Sequence, residues 1–350
     1  YLESRNFTEP MFVFAIMVIA GTRPILEKAQ ALMQALARGL ARALPLRHGQ
    51  ALCLVLLGVL PLAGSLITEP AAMTLAALML RHTVLRPEAS TRLKYAVLGV
   101  LFVNVSIGGT LTHFAAPPVL MVASAWQWDL GFMFTHFGWK AMLAVGINAA
   151  GATWLLRHEL GRLAPPAPHA QGAPVPAALT AIHLLFLAAV VVCAHHPVVF
   201  MGLLLFFLGV ASAYRHHQQP LILREALLVA FFLAGLVVLG GQQAWWLQPL
   251  LLGLDADAVF FGAIALTAIT DNAALTYLAS LVPGLSPDFK TALVGGAVIG
   301  GGLTVIANAP NPAGVAILKD RFPHGAVSLP GLLAGALPPT LVAAAIFRLL

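Results

Sequence analysis

Ile67-Thr68-Glu69-Pro70-Ala71-Ala72-Met73-Thr74-Leu75 and Ile269-Thr270-Asp271-Asn272-Ala273-Ala274-Leu275-Thr276-Tyr277 are near-copies from the two halves of the chain. Each puts one carboxylate inside an otherwise apolar run. Each is followed by a second related element. In the first half it is Gly108-Gly109-Thr110-Leu111-Thr112-His113-Phe114-Ala115-Ala116-Pro117, and in the second Gly301-Gly302-Leu303-Thr304-Val305-Ile306-Ala307-Asn308-Ala309-Pro310. Helix-breaking polar interruptions at corresponding places in two hydrophobic halves point to the binding site of a membrane carrier built from repeats.

Composition sets the solvent. The 350 residues are 60% hydrophobic and only 9% charged, against roughly 25% charged in soluble domains. Apolar runs recur along the whole length, so the fold class expected is an all-α integral membrane protein, in a bacterial inner (plasma) membrane. Cys53 and Cys193 both lie in apolar runs and read as small core residues, giving neither a disulfide framework nor a metal site. The net charge of +6 comes from Lys and Arg spread over the loops between spans. Basic loops orient a membrane protein, so the partners implied are lipid and small inorganic ions, with no nucleic acid. Tyr1 in place of Met implies trimming ahead of residue 1.

The basic loops give a topology. A first span covers about residues 8–22, and an amphipathic basic stretch from Glu27 to Arg47 suits an interfacial helix on the cytoplasmic face. Together, residues 1–48 form a scaffold segment. In the first core, 49–126, the apolar runs at 50–63 and 71–80 are each too short to span comfortably. Both outer ends are basic, which describes a re-entrant hairpin entered from the cytoplasm. The chain then climbs through 95–107, breaks at Gly108-Gly109 and resumes to about 125, where Trp126-Gln127-Trp128-Asp129 marks the far interface. Residues 127–254 hold intervening spans at 141–156, 177–194, 197–213 and 223–240, with a cytoplasmic linker at 158–176. Its turns fall at His195-His196-Pro197 and at Gln242 to Trp246 outside, and at Arg215 to Arg224 inside. The second core, 255–321, has runs at 256–267 and 273–283 without flanking basic residues, a hairpin entered from the opposite side. A crossing at 290–318 follows, interrupted from Gly300 to Pro312, and 322–350 is a last span. All of the 19 Lys and Arg except Arg5, Lys140, Lys290 and Arg348 then fall inside. The repeats are expected to be inverted, each a re-entrant helical hairpin followed by a discontinuous transmembrane helix, as alternating access requires.

Of the 13 carboxylates, only Glu69 and Asp271 sit at hairpin tips. A mid-membrane charge costs several kcal/mol unless it pairs or lines a hydrated cavity. The plain alternative is helix capping, for which Thr68, Glu69, Thr270 and Asp271 have suitable chemistry. Hard oxygen donors crowd the same places: Thr68, Thr74, Thr270, Asn272 and Thr276 on the hairpins, and Thr110, Thr112, Thr304, Asn308 and Asn311 on the broken spans. Such donors with one or two carboxylates suit an alkali cation or a proton, which makes Asp271 and Glu69 the Na⁺ candidates. Asn104 and Ser106, just before the first break, line the same expected cavity, and His113 beside it could titrate near neutral pH. No Lys or Arg lies near the four breaks, which disfavours a dedicated anion site.

At these residues the chain resembles the ion-transporter superfamily of NhaD-type sodium/proton antiporters, arsenite exporters and sodium-coupled dicarboxylate carriers. Thr270-Asp271-Asn272 with Thr276 is similar to the Asp-Asn motif of the NhaD-type members, and Asn308-Ala309-Pro310-Asn311-Pro312 to their matching unwound element. The chain departs in Glu69-Pro70, where a second Asp-Asn is expected, and lacks the Ser-Asn-Thr motifs of the dicarboxylate carriers. The resemblance implies Asp271 as the ion and proton carboxylate. It implies Asn272, Thr270, Thr276 and Asn308 as ligands with Glu69 and Thr68, and a homodimer with scaffold and transport domains moving as an elevator.

The function expected is exchange of Na⁺ or Li⁺ for H⁺, proton and cation competing for the same acids, with no cofactor beyond the transported ions. The alternative is a cation- or proton-coupled carrier of carboxylates or oxyanions, and a passive channel is a further class. An enzyme is not expected, because His-Glu-x-x-His and Gly-x-Ser-x-Gly motifs and a paired-Asp protease motif are absent from the sequence.

Overall fold

The computed structural model describes every residue except 1, 2, 4, 164–174, 195, 241, 243–247 and 250. The linker expected at 158–176 falls largely outside the described residues, as do His195 and the aromatic marker Trp245-Trp246. No strand occurs among the described residues. The principal helices are α1 Thr8–Ala20, α2 Arg23–Ala43, α3 His48–Ile67, α4 Glu69–Thr83, α5 Thr91–Gly108, α6 Pro117–Trp126, α7 Leu130–Leu155, α8 Ala177–Val192, α9 Pro197–Ala213, α10 Leu223–Gly240, α11 Ala256–Thr267, α12 Asn272–Ser280, α13 Pro287–Gly300, α14 Asn311–Leu318 and α15 Leu329–Leu349.

Two compact units share these helices. One comprises 1–32 and 167–242, the other 33–166 and 243–350. In the first unit α1 is apolar all round and packs against α8, α9 and α10, with Phe12 edge-on to Phe200 at 5.8 Å. A helix apolar on every side has no face to offer water, so it is enclosed. Thr22 closes it by donating to the Ile19 carbonyl at 2.7 Å, and the chain turns 67° into α2. His183 is fully buried on α8. Its Nδ1 bonds the Leu179 carbonyl at 2.8 Å, and its ring meets Phe207 edge-on.

The second unit holds both candidate cores. Among the described helices, α3, α7, α15 and the Thr91–Leu111 stretch are long and apolar enough to cross a membrane. For the run at 50–63 this corrects the expectation: it lies inside a 20-residue helix. Pro61 removes one helical donor and leaves the Leu57 carbonyl, four residues back, without its usual partner. Asn104 on α5 supplies a replacement, donating to that oxygen at 2.7 Å. The helix also passes through a widened turn at Val55–Val59, a common accommodation for such a lesion. A second difference concerns α7, which begins well before residue 141. Asp129 caps it, accepting from the Phe132 amide at 2.7 Å. Trp128, expected at the interface, is buried and stacks on Phe132 at 4.6 Å.

Four breaks interrupt this unit, and each has a local cause. Pro117-Pro118 and Pro310 with Pro312 disfavour helix in the residues before them, which sets the irregular 112–116 and 301–310. Thr68 separates α3 from α4 with φ +75°. The link 268–271 separates α11 from α12. Cross-packing then ties the pieces together: α4 packs on α14, and α12 on α6. Close approach at the crossings requires glycine. A Cβ at Gly108 would overlap the Pro61 carbonyl, one at Gly300 the Ile264 carbonyl, and one at Gly302 the backbone of Val103. Around them sits the apolar core of Val103, Ile107, Phe137, Phe260, Val298 and Phe347.

Candidate functional site

Thr68 occupies a backbone region that β-branched residues rarely adopt, at a cost of about 1–3 kcal/mol. Strain of that size persists only where surrounding contacts enforce it. The next residue, Glu69, opens α4 and is fully buried. Its Oε2 accepts from Asn308 Nδ2 at 2.9 Å. Its Oε1 has no hydrogen-bond partner among the described residues. The carboxylate lies directly over Gly109 in the first broken helix, where any Cβ would overlap it. Glu69 thus joins α4, the 108–116 break and the 301–310 break at one point.

The second broken helix brings further oxygens to the same backbone. The Asn272 amide donates to the Ala307 carbonyl at 3.0 Å, one residue from the Asn308 that holds Glu69. The Asn272 side chain is fully buried, yet neither its oxygen nor its nitrogen has a partner among the described residues. It lies against Gly301, where a Cβ would meet both Asn272 Nδ2 and Ser106 Oγ. Asn308 Oδ1, Asn311 Oδ1 and Thr68 Oγ1 are likewise buried without partners. A buried polar group left unsatisfied costs about 1–3 kcal/mol. Such atoms keep bonding capacity that the fold itself leaves unused.

The remaining candidates are arranged differently. Asp271 is only partly buried. Its Oδ1 caps α12, accepting from the Ala273 amide at 2.8 Å and the Ala274 amide at 3.0 Å. Asn311 donates to the Gly301 and Thr304 carbonyls, both at 2.8 Å, and so spans the unwound stretch. The hydroxyls of Thr110, Thr112, Thr270, Thr276 and Thr304 each donate to a backbone carbonyl: Ile107, Ser65, Leu266, Ala273 and Ala268. Their lone pairs stay available to accept. Asn104 is held by Leu57, by Val145 at 3.3 Å and by Asn148, which donates to Asn104 Oδ1 at 2.9 Å. His113 packs edge-on to Phe114.

Several participants escape a reading of residue type alone. Ser65 accepts from the Leu111 amide at 3.0 Å and donates to the Gly108 carbonyl at 2.7 Å, fastening α3 to the first break. Thr267, fully buried with Oγ1 unpartnered, ends α11. Gly109 matters through what a side chain there would displace. The available signal was a small or hydroxyl residue one turn before each break, too common in membrane helices to stand out.

One carboxylate among neutral carbonyl, amide and hydroxyl oxygens is the donor set of a hard monovalent cation, and it can equally hold a proton. A family model described as "Putative Na+/H+ antiporter" matches residues 1–350. No curated protein matches the chain.

Proposed function

The chain belongs to the putative Na⁺/H⁺ antiporter family, an integral membrane cation/proton antiporter, and from that premise we propose that it exchanges Na⁺ or Li⁺ for H⁺ by alternating access around Glu69. The observation that carries this reading is the buried Glu69 carboxylate, bonded to Asn308 and next to Thr68, with its Oε1 and the Thr68 and Asn308 side-chain oxygens unpartnered among the described residues. An isolated ionised carboxylate in such a place costs several kcal/mol. A proton removes the charge, and a dehydrated Na⁺ held by Glu69 and the neutral oxygens compensates it. The bare site is the expensive state, so one occupant leaves only as the other arrives. That exclusion, repeated on each side of the membrane, is antiport.

On this reading α11–α12 is a re-entrant hairpin, and α4, following the crossing-length α3, is the re-entrant arm that meets it from the opposite face. The pairs α5–α6 and α13–α14 are the discontinuous helices of two inverted repeats. Asp271, Thr270, Thr276, Thr304, Thr110, Thr112 and Asn311 border the site, and the Asn104–Asn148 network braces it. The NhaD-type specificity, a bacterial inner membrane and a homodimer belong to the same proposal, as does the absence of any cofactor besides the transported ions. The test is purified protein in proteoliposomes under an imposed pH gradient. Na⁺-dependent proton movement is expected, and Glu69→Gln abolishes it. Proton flux indifferent to Na⁺ and Li⁺ in the wild-type protein would refute the proposal.

A further inference from the structure

The ends of four helices in the second unit border a cavity of about 350 Å³. It lies where α7, α11 and α13 begin and α15 finishes, and no residue of the ion site lines it. Its size falls at the lower end of the range for small-molecule sites, about 300–1,000 Å³. Phe137, Phe260 and Phe347 give it apolar walls, while Lys140, Asp288 and Arg348 bring three charges.

On the proposed topology this end faces away from the cytoplasm, where Lys and Arg are scarce. Each basic residue there calls for a reason. Arg348 has one in Asp257, with which it forms an ion pair from α15 to α11. Lys290 stands over the Trp126 ring at 5.4 Å. Lys140 has no carboxylate partner among the described residues. It donates to the Phe347 carbonyl at 3.2 Å, and the Trp139 ring lies 5.8 Å away, near the limit for a cation–π contact. An ammonium has three N–H groups, so donors are left over. Asp288, exposed in the first turn of α13, likewise has no ion pair among the described residues. Two opposite charges thus line one cavity without pairing with each other. A ligand that carries both signs satisfies both.

The surroundings say where such a ligand comes from. α7 and α15 are long and apolar enough to cross a membrane, so the cavity at their ends borders the bilayer surface. Trp139, next to Lys140, donates Nε1 to the Thr135 carbonyl at 3.0 Å; tryptophan is enriched at headgroup level. Phe134 on α7 and Phe261 on α11 are exposed, an apolar surface that acyl chains cover. We propose that this cavity binds the headgroup of phosphatidylethanolamine, Lys140 Nζ donating to the phosphate and the Asp288 carboxylate accepting from the primary ammonium. The Thr291 hydroxyl donates to the Pro287 and Asp288 carbonyls and keeps lone pairs for the same ammonium. His136, stacked on Phe132 at 4.0 Å, lines the same cavity. Phosphatidylglycerol offers Asp288 no cation, and the quaternary ammonium of phosphatidylcholine has no N–H to give it. The site needs only the membrane location and stands apart from the ion cycle.

The full chain, purified in detergent and stripped of bound lipid, is mixed with equal amounts of phosphatidylethanolamine, phosphatidylglycerol and phosphatidylcholine. Native mass spectrometry resolves the bound lipids by mass. Phosphatidylethanolamine is expected to bind in preference to the others by about tenfold or more, the size of a lost hydrogen bond to a charged group. Lys140→Gln weakens all three lipids. Asp288→Asn weakens phosphatidylethanolamine and strengthens phosphatidylglycerol, a reversal that misfolding does not produce. Soluble phosphoethanolamine, which has the charges and no acyl chains, binds at least about tenfold more weakly than the lipid. Equal occupancy by the three lipids in the wild type, or an unchanged preference in Asp288→Asn, overturns the proposal. Phosphoethanolamine that binds as tightly as the lipid overturns the assignment of a lipid as the occupant.

Discussion

Replacing Asn308 by alanine removes the donor to Glu69 Oε2, a 2.9 Å contact inside a fully buried site. Hydrogen bonds to ionised groups contribute about 1.5–3 kcal/mol. On the proposed mechanism the ionised carboxylate holds Na⁺, so the loss falls on the cation-bound state. At about 1.4 kcal/mol per factor of ten, half-saturating Na⁺ should rise roughly 10- to 100-fold. Removal of Asn308 Oδ1, itself unpartnered, pushes in the same direction. The assay is Na⁺-dependent dissipation of a pH gradient in proteoliposomes, titrated over Na⁺ and normalised to reconstituted protein. Thermal melting in detergent guards against simple misfolding. An Asn308→Ala protein that melts like wild type and half-saturates within twofold of it would refute the assignment of Asn308 to the cation site.

Asn104→Ala should behave in the opposite way. It strips the donor from the Leu57 carbonyl that Pro61 leaves open, costing about 1–3 kcal/mol of stability, with half-saturating Na⁺ unmoved. Melting temperature and Na⁺ titration on the same sample separate the two effects. Thr68→Gly relaxes the positive φ and should raise the melting temperature while weakening Na⁺ binding. A variant that binds Na⁺ as well as wild type would exclude the Thr68 hydroxyl from the site. Gly99→Ala drives a methyl into the Gly335 backbone where α5 meets α15, and overpacking of this kind costs about 1–3 kcal/mol. Gly262→Ala, which meets nothing within 4 Å, is its control, and equal melting temperatures would contradict the packing described.

The breaks themselves were legible because their causes are local. Pro117-Pro118, Pro310 and Pro312 disfavour helix in the residues just before them, and glycines adjoin both stretches. The length of α3 was not legible, because the residue that repairs its Pro61 lesion comes from α5, far along the chain. The start of α7 was missed for a related reason. Trp126-Gln127-Trp128-Asp129 has the composition of an interface, yet Trp128 turns inward onto Phe132 and Asp129 begins a helix.

The asparagines make the sharpest separation between scaffold and site. Asn104, Asn148, Asn272 and Asn308 are indistinguishable by residue type and burial. Asn104 gives its amide to the carbonyls of Leu57 and Val145, and Asn148 gives its own to the Pro339 carbonyl and to Asn104 Oδ1. The bond to Leu57 repairs the lesion that Pro61 leaves, and the others tie α5, α7 and α15 together. Among the described residues Asn272 leaves its whole carboxamide unpartnered, and Asn308, bonded to Glu69, leaves its oxygen so. A fold able to satisfy one pair completely could have satisfied the other with a backbone carbonyl or a hydroxyl. That it holds the second pair open, next to a strained threonine and a glycine that admits a carboxylate, places the unmet bonding capacity where a desolvated cation needs ligands. Filling Gly109 with alanine should therefore do what filling an ordinary crossing glycine does not, lowering Na⁺ affinity by displacing Glu69 while α5 and α3 still pack. Equal Na⁺ titrations for Gly109→Ala and wild type would break that connection.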